Sequence, residues 1–246
     1  GLTGVKQLAA GNAFVCAVLS DTTAKCWGYN GSGQLGNDSN TDSGVPAAVL
    51  ASDSPATPIT GVVQISAAWD HACLVTSSGG VYCWGNGGYG RLGTGDQTSR
   101  RMPASTGITN GVEVAAAYNS GCARLSDGTV KCWGSDNNGS LGQGTTNVQQ
   151  NSPVAVPDLS NVVKLVSNYG TFYAFLGNGT AKCWGANGSG QCGNGLTADL
   201  SSPTAASALT NVSELGLGSS HACAKYSNKS VKCWGANSTD KLGDGS

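Results

Sequence analysis

Charged side chains are scarce in this chain of 246 residues: they make up 11% of it, against roughly 25% in an average soluble domain. The 13 Lys and Arg residues are balanced by 14 Asp and Glu residues, and neither sign forms a cluster. A protein that binds DNA or RNA needs a basic surface to meet the phosphate backbone. We therefore expect no nucleic-acid partner.

Long apolar runs are missing as well. No run approaches the roughly 20 residues that are needed to cross a bilayer. The first residues do not have the form of a signal peptide. We expect no insertion into a membrane.

The familiar catalytic and metal-binding motifs are also absent. The sequence has no Gly-x-Ser-x-Gly turn, no phosphate-binding Walker loop and no His-Glu-x-x-His, and its carboxylates show no repeated pairing. Two acidic loop segments, 37–39 and 95–97, fall far short of a calcium-binding loop. The sequence therefore predicts a protein that is not an enzyme and that holds neither a cofactor nor a metal ion.

Glycine and cysteine are plentiful instead, with 38 and 10 residues respectively, and they recur periodically. The tripeptide Cys-Trp-Gly begins at Cys26, Cys83, Cys132, Cys183 and Cys233. Self-similarity with a period of about 50 residues is typical of repeat proteins. We predict a single domain over residues 1–246, with repeats at about 1–57, 58–108, 109–158, 159–208 and 209–246.

Each repeat contains three short, alternating apolar segments, which predict strands. In the second repeat these are residues 62–66, 72–75 and 81–84. A Gly-x-Leu-Gly tail and a Pro-containing linker follow, and the linker predicts a weaker fourth strand, for example at 152–156. Helical periodicity is not visible in any longer segment. The prediction is an all-β propeller of five blades, each an antiparallel sheet of three to four strands.

Two further expectations follow from the repeat. The periodic tryptophans are predicted to lie in the core, namely Trp27, Trp84, Trp133, Trp184 and Trp234. The first linker, 37–60, is the longest and contains three prolines, so we predict a surface loop inserted between blades rather than a domain boundary.

The order of elements is an apolar strand, Gly-x-x-His, a second strand, a turn, a third strand ending in Trp-Gly, and Gly-Gln-Leu-Gly. This order resembles the regulator of chromosome condensation repeat, and the resemblance covers essentially the whole chain. It implies a β-propeller, usually of seven blades, in a family that ranges from nuclear exchange factors for a small GTPase to secreted inhibitors of β-lactamase. Because this chain is rich in cysteine and has no basic surplus, we expect neither an exchange factor nor a chromatin protein.

In four repeats, two cysteines stand ten positions apart. A hairpin with its turn at the midpoint places such residues directly opposite each other, close enough for a disulfide bond. The predicted pairs are Cys16–Cys26, Cys73–Cys83, Cys122–Cys132 and Cys223–Cys233. Zinc would need closer cysteine pairs or neighbouring histidines, which the sequence lacks. Disulfides form in oxidising compartments, so we expect an extracellular or cell-surface protein.

The fourth repeat departs from this rule. Tyr173 stands in place of the first cysteine, and the same repeat contains an additional one, Cys192. Two interpretations remain open. One is a compensating disulfide between Cys183 and Cys192, and the other is a pair of buried free thiols with Cys192 as a small apolar core residue.

Recognition residues are expected in loops that differ between repeats. The loop before the second strand holds an aromatic residue or a histidine in most repeats, and five such loops would converge on one face of a ring. We predict that this face binds a protein or a glycan. The candidate binding residues are Phe14, Trp69, Asp70, His71, Tyr118, Asn119, Tyr169, Thr171 and His221. For the two histidines, the alternative is an imidazole that satisfies nearby backbone groups.

The favoured hypothesis is an extracellular recognition or adhesion module. Its alternatives are a structural subunit of an extracellular filament or coat, and an inhibitor of a secreted enzyme. Only four linkers separate the five repeats, so one blade must lack its outer strand. We therefore predict an incomplete terminal blade, a ring open between the first and last repeats, or self-association through an unpaired edge.

Overall fold

The computed structural model describes residues 1–51 and 57–245, and within them the chain forms five antiparallel sheets that follow one another in sequence. The sheets are blade 1, with β1 (Val5–Ala10), β2 (Phe14–Leu19), β3 (Ala24–Gly28) and β4 (Ser43–Ala48); blade 2, with β5 (Val62–Ala67), β6 (His71–Thr76), β7 (Val81–Gly85) and β8 (Arg100–Ser105); blade 3, with β9 (Gly111–Ala116), β10 (Ser120–Leu125), β11 (Val130–Ser135) and β12 (Gln149–Ala155); blade 4, with β13 (Val162–Ser167), β14 (Thr171–Leu176), β15 (Ala181–Gly185) and β16 (Leu200–Ala205); and blade 5, with β17 (Val212–Leu217), β18 (His221–Tyr226) and β19 (Val231–Gly235).

Helix is confined to three short 3₁₀ turns in the described part of the chain, at Gly88–Gly90, Asn137–Gly139 and Ser207–Leu209. The prediction of an all-β, five-bladed propeller is therefore confirmed. The predicted fourth strands also form: the linker segment 152–156 falls largely within β12. The first linker likewise supplies β4, so it is not simply an inserted loop, and its residues 52–56 lie outside the described residues.

Neighbouring blades are joined by one repeated contact. In blades 2 to 5, the indole Nε1 of the repeat tryptophan donates a hydrogen bond to the backbone carbonyl at the second position of Gly-x-Leu-Gly, or of Gly-Gln-Cys-Gly in blade 4, in the preceding blade. The four bonds are 2.8–3.1 Å long and run from Trp84 to Gln34, Trp133 to Arg91, Trp184 to Ser140 and Trp234 to Gln191. The Trp-Gly and Gly-x-Leu-Gly motifs are thus the two halves of the interface between blades.

The last glycine of Gly-x-Leu-Gly is required by this contact. At Gly93, φ is +68°, and a Cβ atom would lie 2.8 Å from the indole of Trp133. Gly36 and Gly142 stand in the same relation to the tryptophans of the following blades. A side chain here would both strain the backbone and push the two blades apart.

Among the described residues, blade 5 is less complete than the other four blades. Blade 5 has three strands, which confirms the predicted incomplete terminal blade. Trp84, Trp133 and Trp184 are fully buried, as predicted, whereas Trp27 and Trp234 are half-buried. Trp234 still packs against a buried core cluster, so the prediction that all five lie in the core was wrong only for Trp27. Within residues 1–51 and 57–245, no hydrogen bond joins blade 1 to blade 5.

The four predicted disulfides form across the hairpins of blades 1, 2, 3 and 5. In each pair the two cysteines are directly opposite in the strand register, with Cα atoms 4.0–4.1 Å apart. In blade 4, Cys183 is bonded to Cys192, which decides between the two interpretations that the sequence left open. Tyr173 lies opposite Cys183, and its hydroxyl donates to the carbonyl of Gln191 at 3.0 Å.

Candidate functional site

Three aromatic side chains from successive blades lie together on one face of the propeller. Trp69 and Tyr118 meet edge to face with ring centroids 5.3 Å apart, and the rings of Tyr118 and Tyr169 are stacked at 4.3 Å. Trp69 and Tyr169 are 6.3 Å apart, also edge to face. We call this cluster of Trp69, Tyr118 and Tyr169 the aromatic platform.

The platform is placed by a turn that repeats in every blade, between the innermost strand and the second strand. The backbone N–H of Tyr118 donates to the carbonyl of Tyr169 at 2.9 Å, so the turns of blades 3 and 4 are tied to each other. Asn12 and Trp69 are joined in the same way at 3.2 Å. These bonds fix the positions of the rings without using their side chains.

Much of each ring remains available to a partner. Trp69 and Tyr169 are 44% and 48% exposed, and Tyr118 between them is half-buried. Burial, and after it the neighbouring Tyr118, raises the pKa of the Tyr169 hydroxyl, so that hydroxyl keeps its proton at neutral pH. Large exposed aromatic surface with a polar end is typical of binding sites.

A cavity of about 410 Å³ opens beneath the platform, on the axis of the propeller. All five turns contribute to its wall, and most of the wall residues are small. The lining residues are 10–12, 67–69, 116–118, 167–169 and 217–219. The face thus combines a central depression with aromatic rings on the side of blades 2, 3 and 4.

An ion pair supports the platform from blade 2. The guanidinium of Arg91 lies 2.5 Å from the carboxylate of Asp70, whose other oxygen accepts a hydrogen bond from the side chain of Asn86 at 2.7 Å. The same guanidinium lies over the ring of Tyr118, 6.0 Å from its centroid, and over Tyr89 at 5.7 Å. The pair fills the space beside Trp69 and leaves no net charge there.

The structure separates the predicted binding residues into two layers. Trp69, Tyr118 and Tyr169 occupy the outward position of the turn, and Asp70 and Asn119 follow them at partly exposed positions. The third position of the turn opens the second strand and faces inward.

Three of the predicted binding residues, Phe14, His71 and Thr171, were therefore misplaced. Phe14 is 2% exposed, and the other two are fully buried. The hydroxyl of Thr171 donates to the carbonyl of Ala186 at 2.6 Å. His221 shares their position in blade 5 but is partly exposed, because that blade is less covered. In blade 1 the outward position belongs to Asn12, so the aromatic residue Phe14 had been assigned to the wrong layer.

His71 is an interior residue with unusual surroundings. Neither of its ring nitrogens has a hydrogen-bond partner among the described residues, so it does not satisfy backbone groups as the alternative interpretation supposed. Burial, with a smaller contribution from the charge of Arg91, lowers its pKa from 6.5 to about 3. The imidazole is neutral at physiological pH and inaccessible to a partner.

The sequence analysis missed two structurally important residues. The side-chain oxygen of Asn30 accepts a hydrogen bond from the backbone N–H of Leu35, and that of Asn187 accepts one from Cys192. The side-chain nitrogen of each asparagine donates to backbone carbonyls of the loop that follows. Both are fully buried and pin the loop that carries half of the inter-blade contact. Their equal spacing from Cys-Trp-Gly was the signal available in the sequence.

Neither a metal site nor a membrane span is found where the structure is described. No group of three or more His, Cys, Asp or Glu side chains is placed to hold a metal ion in residues 1–51 and 57–245. Over the same residues, no helix has the length and apolar character to cross a membrane.

Comparison with known proteins identifies a family. The profile of the regulator of chromosome condensation (RCC1) repeat matches residues 26–75, 78–122, 127–168 and 178–224. A second profile of the same repeat matches residues 5–34, 62–91 and 112–140. The matched segments cover most of the chain.

Curated relatives share part of the chain. The ultraviolet-B receptor UVR8 of Arabidopsis thaliana is 36% identical over 99 residues, which are 40% of this chain and 21% of the receptor. The human E3 ubiquitin-protein ligase HERC2 is 33% identical over 101 residues, which are 40% of this chain and 2% of the ligase. The chain thus corresponds to a small part of each relative.

Solved structures match over nearly the whole chain. Human WBSCR16 superimposes with a TM-score of 0.79 at 23% identity and covers 98% of this chain, which spans 64% of that protein. Prp20p from Saccharomyces cerevisiae gives a TM-score of 0.79 at 20% identity, with coverages of 97% and 58%. At these identities the likeness concerns the fold alone.

Proposed function

Since the chain belongs to the regulator of chromosome condensation repeat family, we propose that it is a recognition module that binds a protein partner through the aromatic platform. The observation that carries the proposal is the contact of Trp69, Tyr118 and Tyr169 from three different blades. Interface residues that dominate binding energy are enriched in Trp and Tyr. The surrounding scaffold holds these rings in place before a partner arrives, which lowers the entropic cost of binding.

The relatives support a protein partner. Prp20p is described with its binding to Gsp1p and histones, and yeast RCC1 has been crystallised with Kap60. This chain has a formal net charge of -1 and a platform without net charge, so its own partner needs no strongly basic or acidic surface. The role of the module is recognition rather than catalysis.

Five disulfides support a position outside the cell or on its surface. All ten cysteines of the chain take part in them. Such bonds persist in oxidising compartments and are rare in the cytosol. We therefore place the module among extracellular recognition or adhesion proteins, and an inhibitor of a secreted enzyme would use the same platform.

The test compares two single substitutions of exposed side chains. Trp69→Ala removes the platform's largest ring, while Val45→Ala changes a residue on β4, the outermost strand of blade 1, that is 69% exposed. The immobilised wild type and both variants are presented with extracellular proteins of the source organism, and captured proteins are quantified by mass spectrometry. Each captured candidate is then purified and titrated.

We expect a partner that binds the wild type and Val45→Ala equally and loses about 2 kcal/mol, roughly thirtyfold in Kd, with Trp69→Ala. The melting temperatures of both variants should stay close to that of the wild type. A partner that binds Trp69→Ala with unchanged affinity would refute the platform. If the chain captures only further copies of itself, the structural-subunit alternative gains support, for which the edge strand β19, without an outer neighbour in the described sheet, is the relevant feature.

A further inference from the structure

Three positions near the platform are equivalent in every blade, but the residues at them differ. In blade 2 all three residues are polar or charged. Its residues are Asp70 in the turn, Asn86 directly after Cys-Trp-Gly, and Arg91 inside Gly-x-Leu-Gly. They form the ion pair and hydrogen bond described above. The result is a closed polar network between Trp69 and Tyr118.

Blade 3 has smaller, uncharged residues at the same three positions. Asn119 replaces the aspartate, Ser135 the asparagine and Ser140 the arginine, with identical spacing from the cysteines of their repeat. The space that the arginine fills in blade 2 is here a recess of about 280 Å³. It lies between blades 3 and 4, and Tyr118 and Tyr169 form part of its wall.

The polar groups of the recess are partly used and partly free. The hydroxyl of Ser140 donates to the carbonyl of Ser135 at 2.7 Å. The side-chain Oδ1 of Asn119 is buried and has no hydrogen-bond partner among the described residues. A buried acceptor without a donor costs free energy, so a ligand that brings a donor gains from this site.

The lining also excludes two classes of ligand. The side chains around the recess are Tyr, Asn, Ser and Ala, and none of them is charged. A charged ligand would therefore find no counter-charge among the lining side chains, and Arg91, which lies over the ring of Tyr118, is already paired with Asp70. A purely apolar ligand would leave the amide oxygen of Asn119 without a donor, which offsets part of what it would gain from burial.

We infer that this recess binds one neutral sugar residue of a glycan. A pyranose ring has an apolar face that packs on an aromatic ring and a rim of hydroxyl groups that donate and accept hydrogen bonds. Asn119 supplies an acceptor for such a hydroxyl, and Asn137 carries an amide at the rim of the recess, whereas the side-chain nitrogen of Asn138 already donates to the carboxylate of Asp199. The volume is at the lower end of known ligand pockets, as suits one ring rather than a larger ligand.

The inference rests on the proposed function because the tyrosines belong to both sites, and it narrows the partner to a glycosylated protein. In this arrangement the platform meets the protein surface and the recess holds a sugar attached to it. Trp69 does not line the recess. The two sites can therefore be separated by substitution.

The experiment rebuilds the network of blade 2 in blade 3. The double variant Asn119→Asp with Ser140→Arg is expected to fill the recess with an ion pair that the neighbouring blade already accommodates. The matched control is Ala13→Asp with Gln34→Arg, the same pair at the same positions of blade 1. Saturation-transfer NMR and calorimetric titration use methyl glycosides of neutral hexoses and of N-acetylhexosamines up to about 20 mM, above the millimolar Kd of a weak site.

We expect at least one glycoside to bind the wild type, the blade 1 control and Val45→Ala with Kd values within about twofold of one another. The blade 3 double variant should bind it at least tenfold more weakly while keeping its melting temperature. Absence of binding by every glycoside, or undiminished binding by the blade 3 variant, overturns the inference. If the sugar test fails but capture of a protein partner still depends on Trp69, the proposed function stands and only the sugar site is refuted. If the glycoside binds but no partner is captured through Trp69, the sugar site stands and the aromatic platform is refuted as a protein-binding site.

Discussion

The three inner blades and the two outer blades are built from the same repeat, yet they differ in how well their cores are covered. Val81 and Val130 begin β7 and β11 and are completely buried, whereas Val231 begins β19 and is 61% exposed. In blades 2 and 3 the linker after the fourth strand returns over this position, and its backbone N–H groups bond to the carbonyls of Val81 and Val130. Blade 5 has no such covering strand in the described chain.

The tryptophans show the same difference between neighbours. Trp133 is fully buried because blade 2 presents a carbonyl and a glycine to its indole. Trp27, in blade 1, is half-buried and has no hydrogen-bond partner for Nε1 within the described residues. A blade therefore contributes only half of the core that it needs, and the rest comes from the blade beside it, as in other repeat proteins.

The largest expected effect tests this dependence on neighbours. Trp133→Ala should lower the free energy of unfolding by roughly 3–5 kcal/mol, because it leaves a large cavity between blades 2 and 3. Trp27→Ala should cost less than half as much, since part of its ring already faces water and its Nε1 makes no bond to the protein. Chemical denaturation followed by circular dichroism measures both values.

Equal losses for the two tryptophans would contradict the comparison between inner and outer blades. Trp84→Ala serves as the control, because Trp84 is also fully buried and bonds to Gln34 at 2.9 Å. Its loss of stability should resemble that of Trp133→Ala.

Much of the fold was predictable because the repeat makes the sequence its own comparison. Five occurrences of Cys-Trp-Gly fixed the number of blades, and four equal cysteine spacings fixed the hairpin registers. The exposure of Trp27 and Trp234 was not predictable from the motif, because it depends on whether a neighbouring blade is present. The motif records only one half of each interface.

The candidate site was harder to predict, since a shift of two positions within the turn decides whether an aromatic residue faces outward or inward. Trp69 and Phe14 are both aromatic residues of equivalent loops, but Phe14 stands two positions later relative to its cysteine. That shift moves the ring from the surface to the core. The recess beside Asn119 could not be predicted from the sequence. It forms because the small side chain of Ser140 leaves open the space that the longer side chain of Arg91 fills at the equivalent position of blade 2.

The second prediction compares the inner histidine with the outer one. His71 has a pKa of about 3 in the folded protein and 6.5 as its ordinary value, so below pH 6.5 the unfolded chain takes up a proton that the folded chain does not. The folded state therefore loses about 1.4 kcal/mol per pH unit between roughly pH 6 and pH 4. His71→Phe should remove this loss, and it places in blade 2 the residue that Phe14 provides in blade 1.

We expect the stability gain of His71→Phe over the wild type to be about 2–3 kcal/mol larger at pH 4.5 than at pH 7.5. Denaturant titrations at the two pH values measure it. His221→Phe is the same substitution at the equivalent position of blade 5, where the side chain is partly exposed, and it controls for the change of side chain. A gain for His71→Phe that is the same at both pH values would show that His71 is protonated in the folded protein.

The smallest effect concerns the loop that pins each inter-blade contact. Asp136 stands in blade 3 where Asn30 and Asn187 stand in blades 1 and 4, and its carboxylate accepts the backbone N–H of Leu141 at 2.8 Å. Its side chain is fully buried, and burial raises its pKa above the usual 3.8. A buried carboxylate is costly when charged, so the folded state loses stability as the pH rises from 3.8 through the raised pKa.

Asp136→Asn keeps the acceptor and removes the charge, so it should stabilise the protein by about 1 kcal/mol at pH 7. The gain should vanish below about pH 3.8, where Asp136 is neutral in both states. Denaturant titrations at pH 7 and pH 3.5 measure this difference, and Asn187→Asp, the reverse change in blade 4, should destabilise at pH 7 by a similar amount. If both substitutions were neutral at pH 7, water would reach this loop position, and the loops of the inner blades would be as open as those of blade 5.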